Sequence, residues 1–302
     1  MSGLKNFDNI KENIKESDII CLCETWHTYK CNISLSQNHE ISDRVAIKTA
    51  ERGRASGGLA IALNNKIYKN TEFLCARDEF LFIKTNVNES IVIVGVVYIN
   101  QKKDTKLIFS YMEEELNKIS KKYKSYQIFI TGDFNARVAD KGEIEDGQLP
   151  DQNTIYKKER ESEDPDINER GRDLLDFTDR NELFITNGRF PSDTPARYTS
   201  INTLGKSVID LILCNAQALC NVLDFKVCKN GIIQSDHLPV LLSIEFNINF
   251  NNYISKDKIK WKENKKIEYY NSMLYSDKGS FIKDVTQIFK IFATLLPPCL
   301  LL

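Results

Sequence analysis

The sequence predicts an α/β fold, in which buried strands alternate with amphipathic helices. Residues 91–98 are β-branched almost throughout and continuously apolar, which is typical of a strand buried on both faces. A second apolar run, residues 127–131, leads into the turn Gly132-Asp133-Phe134-Asn135-Ala136. Between these runs, residues 104–122 carry apolar side chains at helical spacing. Strands that alternate with helices in this way indicate an α/β chain.

The other elements continue this alternation along the chain. Helical spacing of apolar residues predicts an amphipathic helix over residues 4–16 and another helix over residues 170–181. Residues 140–169 are mostly acidic and polar with scattered Gly and Pro, which predicts a loop or a long insertion. Further short strands are predicted at residues 18–23, 57–63, 80–85, 183–186, 207–214, 222–227 and 239–246.

Composition is that of a soluble globular protein. The 302 residues, 42% hydrophobic and 27% charged, suffice for one large domain or two modest ones. A net charge of −1 excludes a uniformly basic nucleic-acid coat, so any contact with DNA or RNA needs a local patch. We expect residues 1–250 to form one domain. Residues 251–302, Lys-rich and then apolar, are expected to be a linker and a poorly ordered tail.

Cysteine usage and the chain ends bear on the compartment. The eight cysteines match neither a zinc site nor a disulfide framework, and indicate buried thiols in a reducing compartment. Because no signal peptide precedes the first predicted element, we expect a nuclear or cytoplasmic protein rather than a secreted one. Residues 288–302 are too short to span a bilayer, so no membrane is expected as a partner. Cys299 and the three leucines after it fit either a prenylation box or an unmodified hydrophobic end.

Polar side chains that can carry chemistry recur at the predicted strand ends. Glu24 comes directly after the strand at residues 18–23. Asp133 and Asn135 flank one apolar residue, so on an extended backbone their side chains face the same way. Far downstream, Ser235-Asp236-His237 places a carboxylate beside an imidazole.

Two further positions fit the same site. Asp210 lies within an apolar run, where a charge is unfavourable unless it is paired, and His237 is its natural partner. Tyr98 ends the most apolar strand, so its hydroxyl could face a site at the strand ends. Taken singly, each of these residues could equally be a cap, a turn residue or a satisfied core group. Their succession at strand ends favours a common function.

The residue types suit hydrolysis of a phosphodiester. Charge on the phosphate must be offset, water must be oriented, and the leaving oxygen must be stabilised. A divalent cation held by carboxylates can do the first and third, and oxygen ligands favour Mg²⁺ or Mn²⁺. A carboxylate can orient the water, and an imidazole fixed by a second carboxylate can donate to a phosphate oxygen.

These residues, in this order, resemble the endonuclease/exonuclease/phosphatase superfamily over roughly residues 1–250. Its two most specific motifs correspond to residues 132–136 and 235–237. Within the superfamily the sequence most resembles the endonuclease domain of non-LTR (LINE-type) retrotransposons. The segments that carry this likeness are Glu24-Thr25-Trp26, Gly57-Gly58-Leu59-Ala60-Ile61, Val97-Tyr98, Asn168-Glu169-Arg170-Gly171, Tyr198-Thr199-Ser200 and Ser207-Val208-Ile209-Asp210-Leu211-Ile212.

The resemblance implies a four-layer α/β sandwich, with two β-sheets packed face to face and helices outside. It implies a Mg²⁺- or Mn²⁺-dependent endonuclease that nicks DNA. Glu24 would ligate the metal, and Asp236 would support it. Asn187 would contact the phosphate, and Ser207 would sit near the DNA backbone. The implied catalytic residues are Asp133 for the attacking water, Tyr98, His237 and Asn135 for the scissile phosphate, and Asp210 to orient His237.

One part of the family pattern is not matched. The family has an Asn metal ligand on its first strand, closely followed by Gly-Leu, and here Gly3-Leu4 is preceded only by Met1-Ser2. The resemblance therefore implies that one metal ligand and one strand are missing, with unpaired backbone groups, weakened metal binding and reduced stability. On this interpretation the chain is a fragment of a longer reading frame.

Two alternatives stay open. The first is a phosphatase on the same fold that acts on an inositol phosphate or a phospholipid. Such phosphatases carry a Trp-x-Asp-Arg pattern around the Asp, whereas residues 207–211 here read Ser-Val-Ile-Asp-Leu, which favours the nuclease. The second is a degenerate domain that only binds nucleic acid. The sequence leaves the DNA target and the oligomeric state undetermined.

Overall fold

The computed structural model describes residues 16–26, 38–46, 57–149, 155–228, 235–246 and 287–295. Within these ranges the chain forms two six-stranded sheets and one two-stranded hairpin. Helices are few and lie outside the sheets. None of the described helices is long and apolar enough to cross a membrane.

The first sheet combines strands from both ends of the chain. Its strands, in spatial order, are Val222–Val227 (β12), Val240–Phe246 (β13), Gln287–Leu295 (β14), Ile19–Cys23 (β1), Leu59–Asn64 (β3) and His39–Arg44 (β2).

The second sheet is built from the middle of the chain. Its strands, in spatial order, are Glu72–Ala76 (β4), Phe80–Val87 (β5), Ser90–Tyr98 (β6), Gln127–Asp133 (β7), Asp210–Asn215 (β11) and Leu183–Ile185 (β8). Ser200–Asn202 (β9) and Gly205–Ser207 (β10) form the separate hairpin. The helices are Asn65–Tyr68 (α1), Thr105–Lys122 (α2), Glu169–Arg180 (α3) and Ala216–Leu219 (α4), with a 3₁₀ turn at Pro191–Asp193.

The two sheets pack face to face around a common apolar core. Side chains from both sheets meet there, among them Cys21, Ile61, Val94, Phe129 and Leu242, each fully buried. The second sheet buries its other face under α2 and α3, whose Phe109 and Phe177 rings stack 4.9 Å apart. The predicted α/β sandwich with helices outside is therefore confirmed.

Helix α2 connects β6 to β7, which run parallel in the sheet. Asp104 caps its first turn by accepting hydrogen bonds from the backbone N–H groups of Lys106 and Leu107. The buried stripe of α2 faces the sheet and comprises Ile108, Phe109, Met112, Leu116 and Ile119, whereas Leu107, expected on the apolar side, is exposed. The predicted helix over residues 4–16 lies almost entirely outside the described residues.

The strand predicted at residues 207–214 is divided in the structure. Ser207 ends β10, and Asp210 begins β11 in a different sheet. Side chains take the intervening backbone N–H groups: Asp164 Oδ2 accepts from Val208 at 3.0 Å, and Thr199 Oγ1 accepts from Ile209 at 3.1 Å. Because these groups are already bonded, they do not extend a ladder, and the chain changes direction here.

The C-terminal part of the chain departs most from the sequence prediction. Residues 287–295, assigned to a poorly ordered tail, form strand β14 inside the first sheet. It pairs in parallel with β1 and antiparallel with β13. The unpaired groups expected from a missing strand are consequently not found at β1, which has β14 on one side and β3 on the other. Residues 247–286 and 296–302 lie outside the described part.

Candidate active site

Strand register lines up three of the predicted catalytic residues. In the parallel pair β6–β7, Tyr98 lies opposite Asp133, and in the antiparallel pair β7–β11, Asp133 lies opposite Asp210. Directly paired residues on neighbouring strands project to the same face of a sheet. The three side chains therefore form a row across the second sheet, at the end where β6 and β7 finish and β11 begins. We call this end of the sheet its edge.

Gly132 allows the close approach of β7 to β6 at this point. Its φ is +141°, and a Cβ atom there would lie 1.9 Å from the carbonyl oxygen of Val97. No other residue type fits without moving the strands. The Gly132-Asp133 pair thus sets the register that places Asp133 beside Tyr98.

Asp133 is held in one orientation by Asn135. Its Oδ1 accepts from the Asn135 backbone N–H at 2.8 Å, and its Oδ2 accepts from Asn135 Nδ2 at 2.9 Å. Asn135 itself has a φ of +49°. Its Nδ2 also donates to the carbonyl of Ile99 at 3.1 Å, and its Oδ1 accepts from Gln101 at 3.2 Å. Asp133 is also only 3% exposed, so neighbouring groups surround its carboxylate and restrict it to this orientation.

Asp210 and His237 form the predicted pair. Nδ1 of His237 lies 2.8 Å from Asp210 Oδ2 and 3.0 Å from Oδ1. Since a carboxylate accepts, we assign the Nδ1 proton to this bond, which leaves Nε2 available to a substrate. Thr199 Oγ1 accepts from the Asp210 backbone N–H at 3.0 Å and so fixes the backbone of Asp210.

Glu24 reaches the row from the first sheet. It follows β1 in a left-handed conformation, with a φ of +52°. The thiol of Cys23 donates to the carbonyl of Val97 at 3.2 Å and joins the end of β1 to β6. Burial, and then the nearby Glu24 carboxylate, raise the pKa of Tyr98. Glu24 therefore lies at the same end of the two sheets as Tyr98.

Negative charge accumulates at this edge. Burial, followed by the Asp210 and Glu24 carboxylates, raises the pKa of Asp133 to about 8. Burial lowers the pKa of His237, but the carboxylates of Asp210, Asp133 and Asp236 together outweigh it and raise that pKa to about 9. Repelling carboxylates of this kind are relieved by a cation.

The donor set fits a hydrated divalent cation rather than a closed metal cage. Among the described residues, no three Asp, Glu, His or Cys side chains are grouped to hold a metal by themselves. Mg²⁺ keeps several waters and uses only one or two protein carboxylates. Partly exposed Glu24 beside buried Asp133 meets that requirement.

Three other predicted site residues are placed differently from these. Asn187 is fully buried and does not face a substrate: its Nδ2 donates to the carbonyl of Asp210, and its Oδ1 accepts from the Ile212 N–H. Through these two hydrogen bonds Asn187 holds the backbone of β11 in place. Ser207 is partly exposed at the base of the β9–β10 hairpin. Asp236 is exposed, and its carbonyl accepts from the Ile201 N–H at 2.7 Å.

Two further residues build the site, although their roles were not predicted from the sequence. Thr199 is fully buried under Asp210, and Arg170 binds the loop after Tyr98. Both lie in segments that carry the family likeness, Tyr198-Thr199-Ser200 and Asn168-Glu169-Arg170-Gly171. Their place in these segments was the signal that could have identified them. Their roles could not be predicted, because each role depends on contacts with backbone groups that are distant along the chain.

Comparisons with known proteins bear on the family and the fold. Residues 92–241 match the family described as endonuclease-reverse transcriptase. No curated protein sequence is significantly similar to the chain.

Among solved structures, the fold is similar to that of the endonuclease domain of TRAS1, a telomere-specific non-LTR retrotransposon. The TM-score is 0.53 at 13% identity, over 81% of this chain and 93% of that one. It is also similar to the AP endonuclease LMAP from Leishmania major, with a TM-score of 0.54 at 14% identity, over 79% of this chain and 81% of that one. At such identities the likeness establishes the fold.

Proposed function

We propose that this chain is a member of the endonuclease/exonuclease/phosphatase superfamily, as the family match over residues 92–241 and the likeness in fold support. The proposed activity is hydrolysis of phosphodiester bonds, and in particular metal-dependent nicking of DNA. The observation that carries the proposal is the row of Tyr98, Asp133 and Asp210, with His237 bound to Asp210 and Glu24 reaching in from the other sheet. Each side chain has a distinct task in such a reaction.

Asp133 orients the attacking water and accepts its proton. Its two oxygens are held by Asn135, so the carboxylate has a single direction. His237, held as a cation by Asp210, offers Nε2–H to a phosphate oxygen, where negative charge develops. The hydroxyl of Tyr98 binds another phosphate oxygen. Both N–H groups of the Asn135 side chain are used by Asp133 and Ile99, so Asn135 orients Asp133 and does not bind the phosphate as the resemblance implied.

Glu24 would hold a divalent cation, with Asp236 as an exposed carboxylate that supports it. When bound, Mg²⁺ or Mn²⁺ offsets charge on the scissile phosphate and on the leaving oxygen.

The β9–β10 hairpin favours DNA over a small phosphate ester. Ser200 forms a β-bridge with His237, and Leu204 at the hairpin tip is 97% exposed. A projection next to the catalytic His suits a substrate that extends beyond the scissile group. Ser207, at the base of this hairpin, would lie near the DNA backbone. The residues around Asp210 also lack the phosphatase pattern.

A nicking assay tests the proposal. Purified full-length protein is incubated with supercoiled plasmid in Mg²⁺, in Mn²⁺ or in EDTA, and in parallel with inositol phosphates while released phosphate is measured. We expect nicked circles only with a divalent cation, and no phosphate release. Asp133→Asn should lower the nicking rate by about 10²-fold or more, because it removes the proton acceptor.

The matched control is Asp140→Asn, the same change at an exposed Asp outside the site. It should nick at the wild-type rate. Phosphate release without nicking would establish the phosphatase alternative. DNA binding without either product would establish the binding-only alternative, and nicking that survives Asp133→Asn would exclude this site.

A further inference from the structure

The guanidinium of Arg170 is bound entirely by main-chain carbonyls. Arg170 lies in the first turn of α3 and faces the loop that follows β6. Nη1 donates to the carbonyls of Gln101 at 3.3 Å and Lys103 at 3.0 Å, and Nη2 donates to those of Ile99 at 3.2 Å and Asn100 at 3.3 Å. One side chain thus fixes four of the five residues between positions 99 and 103.

This loop, residues 99–103, contacts Asn135, which holds Asp133, at two places. The carbonyl of Ile99 accepts from both Arg170 Nη2 and Asn135 Nδ2, so the two side chains share one acceptor. Gln101 Nε2 donates to Asn135 Oδ1 at 3.2 Å.

The same bonds exclude a direct role for Arg170 in binding phosphate. Its four terminal N–H groups are all directed at carbonyl oxygens, and the remaining N–H, at Nε, is buried, so no N–H group is exposed to an anion in solution. A lysine could not replace it, because one ammonium cannot reach four acceptors that a planar fork spans.

We propose that Arg170 is a positioning residue, which holds loop 99–103 and thereby fixes Asn135 against Asp133. The expected effect of Arg170 on activity rests on the proposed phosphodiester hydrolysis. Loss of the anchor leaves the substrate surface in place but lets Asn135, and with it the Asp133 carboxylate, leave the productive geometry.

Kinetics of Arg170→Met and Arg170→Lys test the proposal. We expect kcat for nicking to fall by about 10²-fold in both, since a misplacement near 1 Å has that effect, with KM for DNA changed less than about threefold. The control is Arg172→Met, two residues along the same helix and exposed. It should keep the wild-type kcat. A kcat within about threefold of wild type in both Arg170 variants overturns the proposal.

A double-mutant cycle separates positioning from general structural damage. In an Asn135→Ala background, Arg170→Met should lower kcat less than in the wild type, because its target is already gone. An undiminished effect in that background overturns the proposal.

Hydrogen exchange gives a readout that does not need activity. The amides of Lys102, Lys103 and Asn135 are bonded within this assembly, to Asn100 and Asp133. They should exchange faster in Arg170→Met while amides of β5 and β6 are unchanged. Inactive wild-type protein would refute the proposed function alone. Unchanged exchange at Asn135 would refute the positioning role.

Discussion

Two site residues have left-handed backbone conformations, which Asn tolerates and Glu seldom adopts. Glu24 and Asn135 have φ values of +52° and +49°. Such conformations cost about 1–3 kcal/mol unless neighbours enforce them, and they concentrate at functional sites. Here backbone bonds from Thr25 and Trp26 to Gly58 and Gly57 hold the first turn, and Asp133 holds the second. These two backbone conformations direct the Glu24 and Asn135 side chains toward the same edge.

Outside the site, Asp193 is a buried carboxyl with an unusual environment. It is fully buried, and it accepts from the N–H groups of Gly188 and Arg197 at 3.1 Å each. Burial outweighs these hydrogen bonds and raises the pKa of Asp193 to about 7. In the unfolded chain this carboxyl loses its proton near its ordinary pKa of about 4.

The shift at Asp193 predicts a pH-dependent stability. Because the folded pKa lies above the unfolded one, the unfolding free energy should fall as pH rises from about 4 to about 7 and change little above that. The upper bound of this contribution is about 4 kcal/mol. Asp193→Asn should lack it. Urea denaturation of both proteins without metal, at pH 4 to 8, measures the difference, and parallel stability curves would contradict the assignment.

Strand β14 is the element that joins the first sheet. It pairs with β13 over seven residues and with β1 over five, so without it β12 and β13 would be separated from β1, β2 and β3. Ile291 faces the core between the sheets, and Phe292 packs on the opposite face with Ile20 and Leu22. Because β1 presents Glu24, β14 supports the site indirectly.

Truncation of a β14 core residue tests this integration. Ile291→Ala should lower the unfolding free energy by about 2–5 kcal/mol, as expected for a buried aliphatic side chain in a close-packed core. Lys290→Ala, at the adjacent and partly exposed position that pairs with Glu16, should lower it by less than about 1 kcal/mol. Equilibrium urea unfolding measures both. A loss below about 1 kcal/mol for Ile291→Ala would mean that β14 is not part of the core.

Local patterns predicted some elements better than others. Continuous apolarity at residues 91–98 and helical spacing at residues 104–122 gave β6 and α2 at nearly their observed bounds. The division between β10 and β11 was missed because it depends on Asp164 and Thr199, both distant in sequence. Strand β14 was missed because its partners are β1 and β13, and an apolar run next to prolines reads equally as a tail.

At the scale of the molecule, the site exists only where the two sheets meet. Tyr98, Asp133 and Asp210 come from adjacent strands of the second sheet, whereas Glu24 follows β1 of the first, and His237 precedes β13. The sequence indicated the residue types and their positions at strand ends. It could not give the register that aligns them, nor show that Asn187 is used by the backbone of β11.

We propose that the strand ends where the two sheets meet hold a divalent cation against a scissile phosphate. The most direct test is the rate of plasmid nicking as a function of Mg²⁺ concentration for wild type, Glu24→Gln and the exposed control Glu114→Gln. Because Glu24 is the proposed ligand, Glu24→Gln should need at least about tenfold more Mg²⁺ for half of its maximal rate, a loss of about 1.4 kcal/mol in binding, while Glu114→Gln follows the wild type. Three superimposable titration curves would contradict the claim.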